Sequence, residues 1–185
     1  NRALDYARGD WVLSLDADEI VSDVLRDEIC RVIESSQFSI YSVPRLSRYL
    51  GRPMRHSGWW PDRGVRLFRR GSARFSPDLV HEKLVFSGPA GRLRAHLEHE
   101  AFINLEEVLD KINRYSSAGA DMAKQRGKDS SLGLAILKGV VAFLRTYVIR
   151  LGFLDGREGF MLAVSNAEGT YYRYLKLMLL NEAKK

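Results

Sequence analysis

The sequence predicts an α/β fold with a helical extension, and three observations carry that prediction. Trp11-Val12-Leu13-Ser14-Leu15 is a short apolar run with little alternation, which suits a strand covered on both faces, as in a parallel sheet. Val24, Leu25, Ile29, Val32 and Ile33 then recur at helical spacing, so a helix follows that strand. From Asn104 the apolar residues keep a helical period, which divides the chain into a sheet-bearing part, residues 1–103, and a helical part, residues 104–185. With 185 residues, 45% hydrophobic and 28% charged, the chain is long and apolar enough for one core and an appendage, so disorder is not the default.

Taken in order, Asn1 to Ala7 has apolar residues at 3, 4 and 7, a helical pattern that Gly9 is expected to close as a left-handed cap. The strand ends in Asp16-Ala17-Asp18-Glu19. In open α/β sheets ligands collect beyond the carboxyl ends of strands, and two acids two residues apart on extended backbone point the same way. Side by side they repel, and a hard divalent ion with oxygen ligands, Mg²⁺ or Mn²⁺, relieves the repulsion while holding phosphates. The other reading is that these acids merely precede a helix starting near Ser22 or Asp23, where its dipole favours them. An EF-hand is excluded, because Ile20 and Val21 stand where an oxygen ligand and glycine are required.

Ser22 is a suitable cap for the helix, and Cys30, between Ile29 and Val32, reads as a buried small hydrophobe. It is the sole cysteine, which rules out a disulfide within the chain and Cys-rich metal sites. Phe38 to Val43 alternates like a strand and Pro44 ends it; residues 45–56, with four arginines, Gly51 and Pro53, read as a basic loop. Trp59 and Trp60 beside that loop suit either a stacking platform for a sugar ring or base, or the core. Val65 to Phe68 is a strand, residues 75–86 are strand-like and carry His81 and Glu82, and residues 95–102 form another strand. There His96, Glu98 and Glu100 alternate with Leu97, His99 and Ala101, which disfavours a zinc site built on one helix face.

Asn104 with Glu107 makes a capping box, ahead of an apolar stripe of Leu105, Val108, Leu109, Ile112, Tyr115, Gly119 and Met122. After a polar break over residues 125–131, Leu132 to Leu154 is the most apolar stretch, but Lys138, Arg145 and Arg150 argue against its spanning a bilayer. Lys138 and Arg145 share a helix face with Leu137, Val140, Val141, Leu144 and Val148 largely opposite, which suits either a helix lying on an anionic membrane surface or a packed terminal helix. A glycine-dense turn over residues 152–160 leads to a last helix. The net charge of +6 favours an anionic partner, a phosphorylated glycolipid or an anionic membrane; nucleic acid is not expected, since no nucleic-acid-binding motif is present.

The run Ala7-Arg8-Gly9-Asp10-Trp11-Val12-Leu13-Ser14-Leu15-Asp16-Ala17-Asp18-Glu19 resembles the strand and Asp-x-Asp motif of the family 2 glycosyltransferases, of GT-A (Rossmann-like) type. Trp60-Pro61-Asp62 through Arg66-Leu67-Phe68-Arg69, Val80-His81-Glu82 and Gly152-Phe153-Leu154-Asp155-Gly156 through Gly159-Phe160 are similar to runs in the subgroup that builds the lipopolysaccharide core. The resemblance covers nearly the whole chain. It implies a partial GT-A domain followed by a helical extension, and an inverting transfer from a nucleotide-sugar donor, a UDP-sugar foremost, to a lipopolysaccharide-core or lipid-linked glycan acceptor. It further implies that Asp18 binds the metal bridging the donor's diphosphate, that Asp16 lies nearby on the metal or the donor, and that Trp60 and Arg66 lie near the acceptor. Glu82 is the first choice for the base that takes the acceptor proton and Asp62 the second. His81 could complete the metal shell, but on a regular strand it faces away from Glu82, so the two roles exclude each other. The enzyme is expected in the cytoplasm, peripheral on the inner face of the cytoplasmic membrane. Because the chain opens on Asn1 inside a helical pattern, it reads as the C-terminal half of such an enzyme, the alternative being a catalytically silent module that docks on anionic membrane or glycolipid.

Overall fold

The computed structural model describes residues 1–35, 37–76 and 84–183. The chain forms two compact units, Asn1–Ser47 with Pro61–His99, and Arg48–Trp60 with Glu100–Lys185. The first holds α1 (Arg2–Asp5), β1 (Trp11–Leu13), β2 (Glu19–Val21) and α2 (Asp23–Ser35). β3 (Ile40–Tyr49) follows, then β4 (Arg52–Pro53), β5 (Asp62–Arg69), β6 (Ala73–Phe75), β7 (Leu84–Phe86), β8 (Gly91–Arg92) and β9 (Leu97–Phe102). The main sheet has the order β1-β5-β3-β9-β2, with β4 and β8 also on β3, while β6 and β7 pair separately.

β1 is covered on both faces as its composition predicts: Trp11 and Leu13 pack on the Leu25, Tyr41, Leu67 and Leu97 cluster, and Val12 on that of Ile40 and Phe68. It is not a parallel strand, however. It runs antiparallel to β5, Trp11 opposite Arg69 and Leu13 opposite Leu67. An apolar run reports burial and not direction, because either kind of pairing can cover both faces.

Several local expectations need correction. α1 ends at Asp5 with Tyr6 in right-handed geometry, and Gly9 is not among the residues of positive φ, so it is no helix cap. Ser22 does cap α2, its Oγ accepting from the Leu25 amide at 3.3 Å. Leu25 and Ile29 are buried on that helix but Cys30 is exposed, because it sits one residue round from Ile29 and off the buried face. β3 does not stop at Pro44 but continues to Tyr49, placing Val43, Leu46 and Tyr49 inside. Of the four arginines that suggest a loop, Arg45 meets Asp62, Arg48 meets Glu100 and Arg52 stands 3.9 Å from Glu158, while the Arg55 guanidinium lies over the Trp60 ring. The true turn is two residues long: Leu50 (φ 51°) and Gly51 (φ 82°) join β3 to β4, the left-handed pair that a tight hairpin of matching twist needs. Leucine is strained there, and its side chain packs on the core of the second unit.

In the second unit α3 (Leu105–Gln125), α4 (Leu132–Leu144) and α5 (Gly156–Glu182) are joined through a π-helical turn at Arg145–Ile149 and a 3₁₀ turn at Gly152–Asp155. Asn104 Oδ1 accepts from the Glu107 amide at 2.9 Å, and Glu107 Oε2 returns a bond to the Ile103 amide at 3.0 Å. The buried side of α3 is Val108, Ser116, Ala120 and Ala123, whereas Leu105, Leu109, Tyr115 and Met122 of the expected stripe stay exposed. Small residues permit this, letting the long α5 approach closely. Helix α5 begins at Gly156, inside the segment read as a turn. Its Gly159 abuts the Gly152 carbonyl so tightly that an added Cβ would fall 1.9 Å from that oxygen.

Candidate functional site

The acids of the Asp-x-Asp segment lie in the first unit, on the turn between β1 and β2. That turn is closed by Glu19, whose amide donates to the Asp16 carbonyl at 3.1 Å while its own Oε2 accepts from the Asp16 amide at 3.0 Å. The Glu19 side chain is wholly buried, so its charge needs partners. Arg66 on β5 supplies one at 2.6 Å from Oε1, and Arg45 on β3 the other at 3.4 Å. The same Arg66 Nη2 donates to Asp16 Oδ2 at 2.9 Å. Arg45 in turn donates from Nε to Asp62 Oδ2 at 3.0 Å, and its Nη2 bonds the same oxygen. Burial works against the charge of Arg45, but the hydrogen bond and charge of Asp62, then those of Glu19, outweigh it and hold the guanidinium above its usual range.

Asp18 is arranged differently. Its carboxylate is half exposed, and Oδ2 stands 3.3 Å from His99 Nε2. The other ring nitrogen of His99 lies 2.8 Å from Ser47 Oγ, which fixes the imidazole plane. Strand register makes this meeting: β2 pairs antiparallel with β9 so that Glu19 lies opposite His99. His99 was visible in the sequence as one of a row of histidines and acids, but pairing register is a long-range property, and its proximity to Asp18 was not legible. The contacts of Glu19, Arg45 and Ser47 are not legible in the sequence for the same reason.

Of the residues singled out from the sequence, Asp16, Asp62 and Arg66 are therefore linked through Glu19 and Arg45, and Asp18 lies two residues along the same turn. His81 and Glu82 lie outside the described residues. Trp59 and Trp60 belong to the second unit. Trp59 packs edge-on to Tyr49 at 6.0 Å between ring centres and beside Phe102 at 6.3 Å, within the cluster of Tyr49, Met54, Val108 and Leu162. The Arg55 guanidinium lies over the Trp60 ring at 5.5 Å. The segment leading into both tryptophans is clamped by the buried Asp155, which accepts from the amides of Arg55 at 3.1 Å and His56 at 3.0 Å and from Ser57 Oγ at 2.9 Å. That is the structural work of the aspartate in the glycine-dense turn.

Among the described residues no three His, Cys, Asp or Glu side chains gather to hold a metal ion by themselves. Mg²⁺ and Mn²⁺ at phosphate sites, however, commonly take one or two protein ligands and complete their shell with phosphate and water. Asp18 Oδ2 and His99 Nε2, 3.3 Å apart, fit adjacent positions around such an ion, where neighbouring donors stand ~3 Å from each other. Glu19→Gln tests the scaffold beneath. Loss of the buried charge is expected to lower stability by about 3 kcal/mol, and the melting temperature by roughly 6–12 °C, because two guanidinium groups each lose their buried carboxylate partner and keep only an exposed one. Thermal unfolding followed by circular dichroism checks it.

No family model matches the chain. It is similar to an uncharacterized glycosyltransferase of Rickettsia typhi, 30% identical over 94% of this chain and 62% of the relative. A second, from Rickettsia prowazekii, is 30% identical over 91% of this chain and 62% of its own length. The lipopolysaccharide core biosynthesis glycosyltransferase LpsC of Rhizobium meliloti is 29% identical over 89% of this chain and 62% of its own. The chain thus spans about three fifths of the length of the relatives it matches.

Proposed function

We propose that the chain is the acid-motif and acceptor portion of an inverting, metal-dependent glycosyltransferase of family 2 and GT-A type, which moves a sugar from a nucleotide-sugar donor to a lipopolysaccharide-core or lipid-linked glycan acceptor. The observation that carries the reading is the turn after β1, where Asp18 and His99 stand together while Asp16 is neutralised by Arg66. The similarity to named glycosyltransferases along nearly the whole chain, one of them in lipopolysaccharide core biosynthesis, supports it.

In this reading Asp18 and His99 hold a divalent ion, Mg²⁺ or Mn²⁺, with Ser47 orienting the imidazole. A bound ion supplies neutralisation of the charge that develops on a departing nucleoside diphosphate. Asp16 and Glu19 do not add two uncompensated charges beside that diphosphate, because Arg66 and Arg45 offset them. Glu82 takes the proton of the attacking acceptor hydroxyl; Asp62, whose two bonds from Arg45 both fall on Oδ2, is the second choice. The resemblance to the lipopolysaccharide-core subgroup makes Trp60 the candidate residue for contact with an acceptor sugar.

The test is transfer of labelled sugar by the complete enzyme, from a panel of UDP-sugars to truncated lipopolysaccharide core. Transfer should be lost on chelation with EDTA and regained with Mn²⁺ or Mg²⁺. Full transfer in EDTA removes the metal from the proposal, and no transfer with any donor and acceptor of these classes removes the transferase reading.

A further inference from the structure

Helix α4 packs inside out for a helix of a water-soluble core. Its inward face is Ala135 and Gly139, and an added Cβ at Gly139 would meet the Tyr171 Cβ of α5 at 3.2 Å. Its large aliphatic side chains face outward instead: Leu137, Val140, Val141, Leu144 and, just past the helix, Val148 are between 47% and 57% exposed. A helix that merely closes a core buries its large residues. The apolar surface continues beyond α4 through the exposed Leu151, Phe153 and Leu154.

Charge decides what covers this face. From Leu132 to Leu154 there is no acidic residue, while Lys138, Arg145 and Arg150 are exposed. The next acid, Asp155, is buried with its carboxylate taken up by the 55–57 segment. On the helix, Lys138 and Arg145 stand seven residues apart along one flank of the aliphatic row. A second copy is a poor occupant, because a two-fold interface would bring this cationic flank against its own likeness without an acid to meet it. Leu132–Ile149 is long and apolar enough to cross a bilayer by length and composition. Yet past Leu144 the helix loosens into the π-helical turn Arg145–Ile149, and two cations, Lys138 and Arg145, lie within the stretch, where a span would put them in hydrocarbon.

We propose that the outward face of α4 docks the protein in the interfacial layer of a membrane rich in anionic phospholipid, the aliphatic row at the acyl boundary and Lys138 and Arg145 at the head groups. The inference rests on the helix alone and not on sugar transfer, so the two stand or fall separately.

The experiment is co-sedimentation of the complete protein with vesicles of phosphatidylcholine alone or with 30% phosphatidylglycerol, without sugar nucleotide. The expected result is tighter binding to the anionic vesicles, weakened by salt. A Leu137→Ser, Val141→Ser, Leu144→Ser triple variant, whose fold circular dichroism checks, should lose binding to both by a hundredfold or more, on the order expected for three exposed aliphatic contacts. Lys138→Gln with Arg145→Gln should keep basal binding and lose the anionic preference, about fivefold for each charge. Equal affinity of the wild-type protein for both vesicles overturns the proposal, as does unaltered binding by the triple variant. Retention in membranes after alkaline carbonate overturns it in favour of a spanning helix, and a concentration-dependent dimer abolished by the triple variant overturns it in favour of a second copy.

Discussion

Glu82→Gln in the complete enzyme is expected to lower kcat by ~10²–10⁴-fold while leaving donor affinity unchanged. The amide keeps the size and the hydrogen-bonding reach of the carboxylate but cannot accept the proton that the acceptor hydroxyl must lose as it attacks. Donor binding, measured by titration calorimetry with the nucleotide sugar and metal, does not involve that proton and should not move. The acidic limb of the kcat–pH profile, which reports the base in the ternary complex, should flatten in the variant. Turnover equal to wild type would remove Glu82 from the chemistry and leave Asp62 as the carboxylate to test by the same substitution.

The second large effect is expected at Asp18. Asp18→Asn should cost ~10²–10³-fold in turnover, the scale seen when one preorganised electrostatic group is removed, and donor binding should no longer respond to Mn²⁺. Stability should change by only about 0.5 kcal/mol or less, because the side chain is half exposed and closes no core. The variant also removes the charge of a carboxylate that bonds His99, and so weakens a purely structural contact as well, so Ser47→Ala is the discriminating companion. Ser47 touches His99 Nδ1 and not Asp18. As a group that orients a metal ligand, its loss should raise the metal concentration needed for half-activation by ~10–100-fold and leave kcat at saturating metal close to wild type. An unchanged metal requirement in Ser47→Ala would separate His99 from the ion.

These expectations differ in what they rest on. The roles proposed for Glu82 and Asp18 rest on a family resemblance carried by short runs of sequence. Those proposed for Ser47, His99 and Glu19 rest on three strands lying side by side. The apolar run at Trp11 to Leu15 marks a strand, which forms over Trp11–Leu13 only and leaves Leu15 exposed beyond it, and the acids after it mark where charge gathers. Neither showed that β1 runs antiparallel to β5, which brings Arg66 to a distance of 2.9 Å from Asp16. Likewise the density of arginines after Pro44 read as a solvated loop, since local composition carries no record of which acid each guanidinium will meet; paired with Asp62 and Glu19, Arg45 sits comfortably in a central strand.

What the sequence by itself determined is everything that depends on neighbours within a turn or two. That includes the cap at Ser22, the exchange between Asn104 and Glu107, the helical periods from Asn104 on and the clustering of acids after the first strand. Such features are set by backbone hydrogen bonding and side-chain period, which act over a few residues. Tertiary structure alone decided which side of each helix was inward. On α3 and α4 the small residues Ala120, Ala123, Ala135 and Gly139 took much of the inner face, because close approach to α5 favours them, and Leu105, Leu109, Leu137, Val141 and Leu144 were left outside although Val108 is buried. It also set the register that places His99 beside Asp18, since pairing between strands some eighty residues apart is chosen by the packing of the whole sheet and not by either strand.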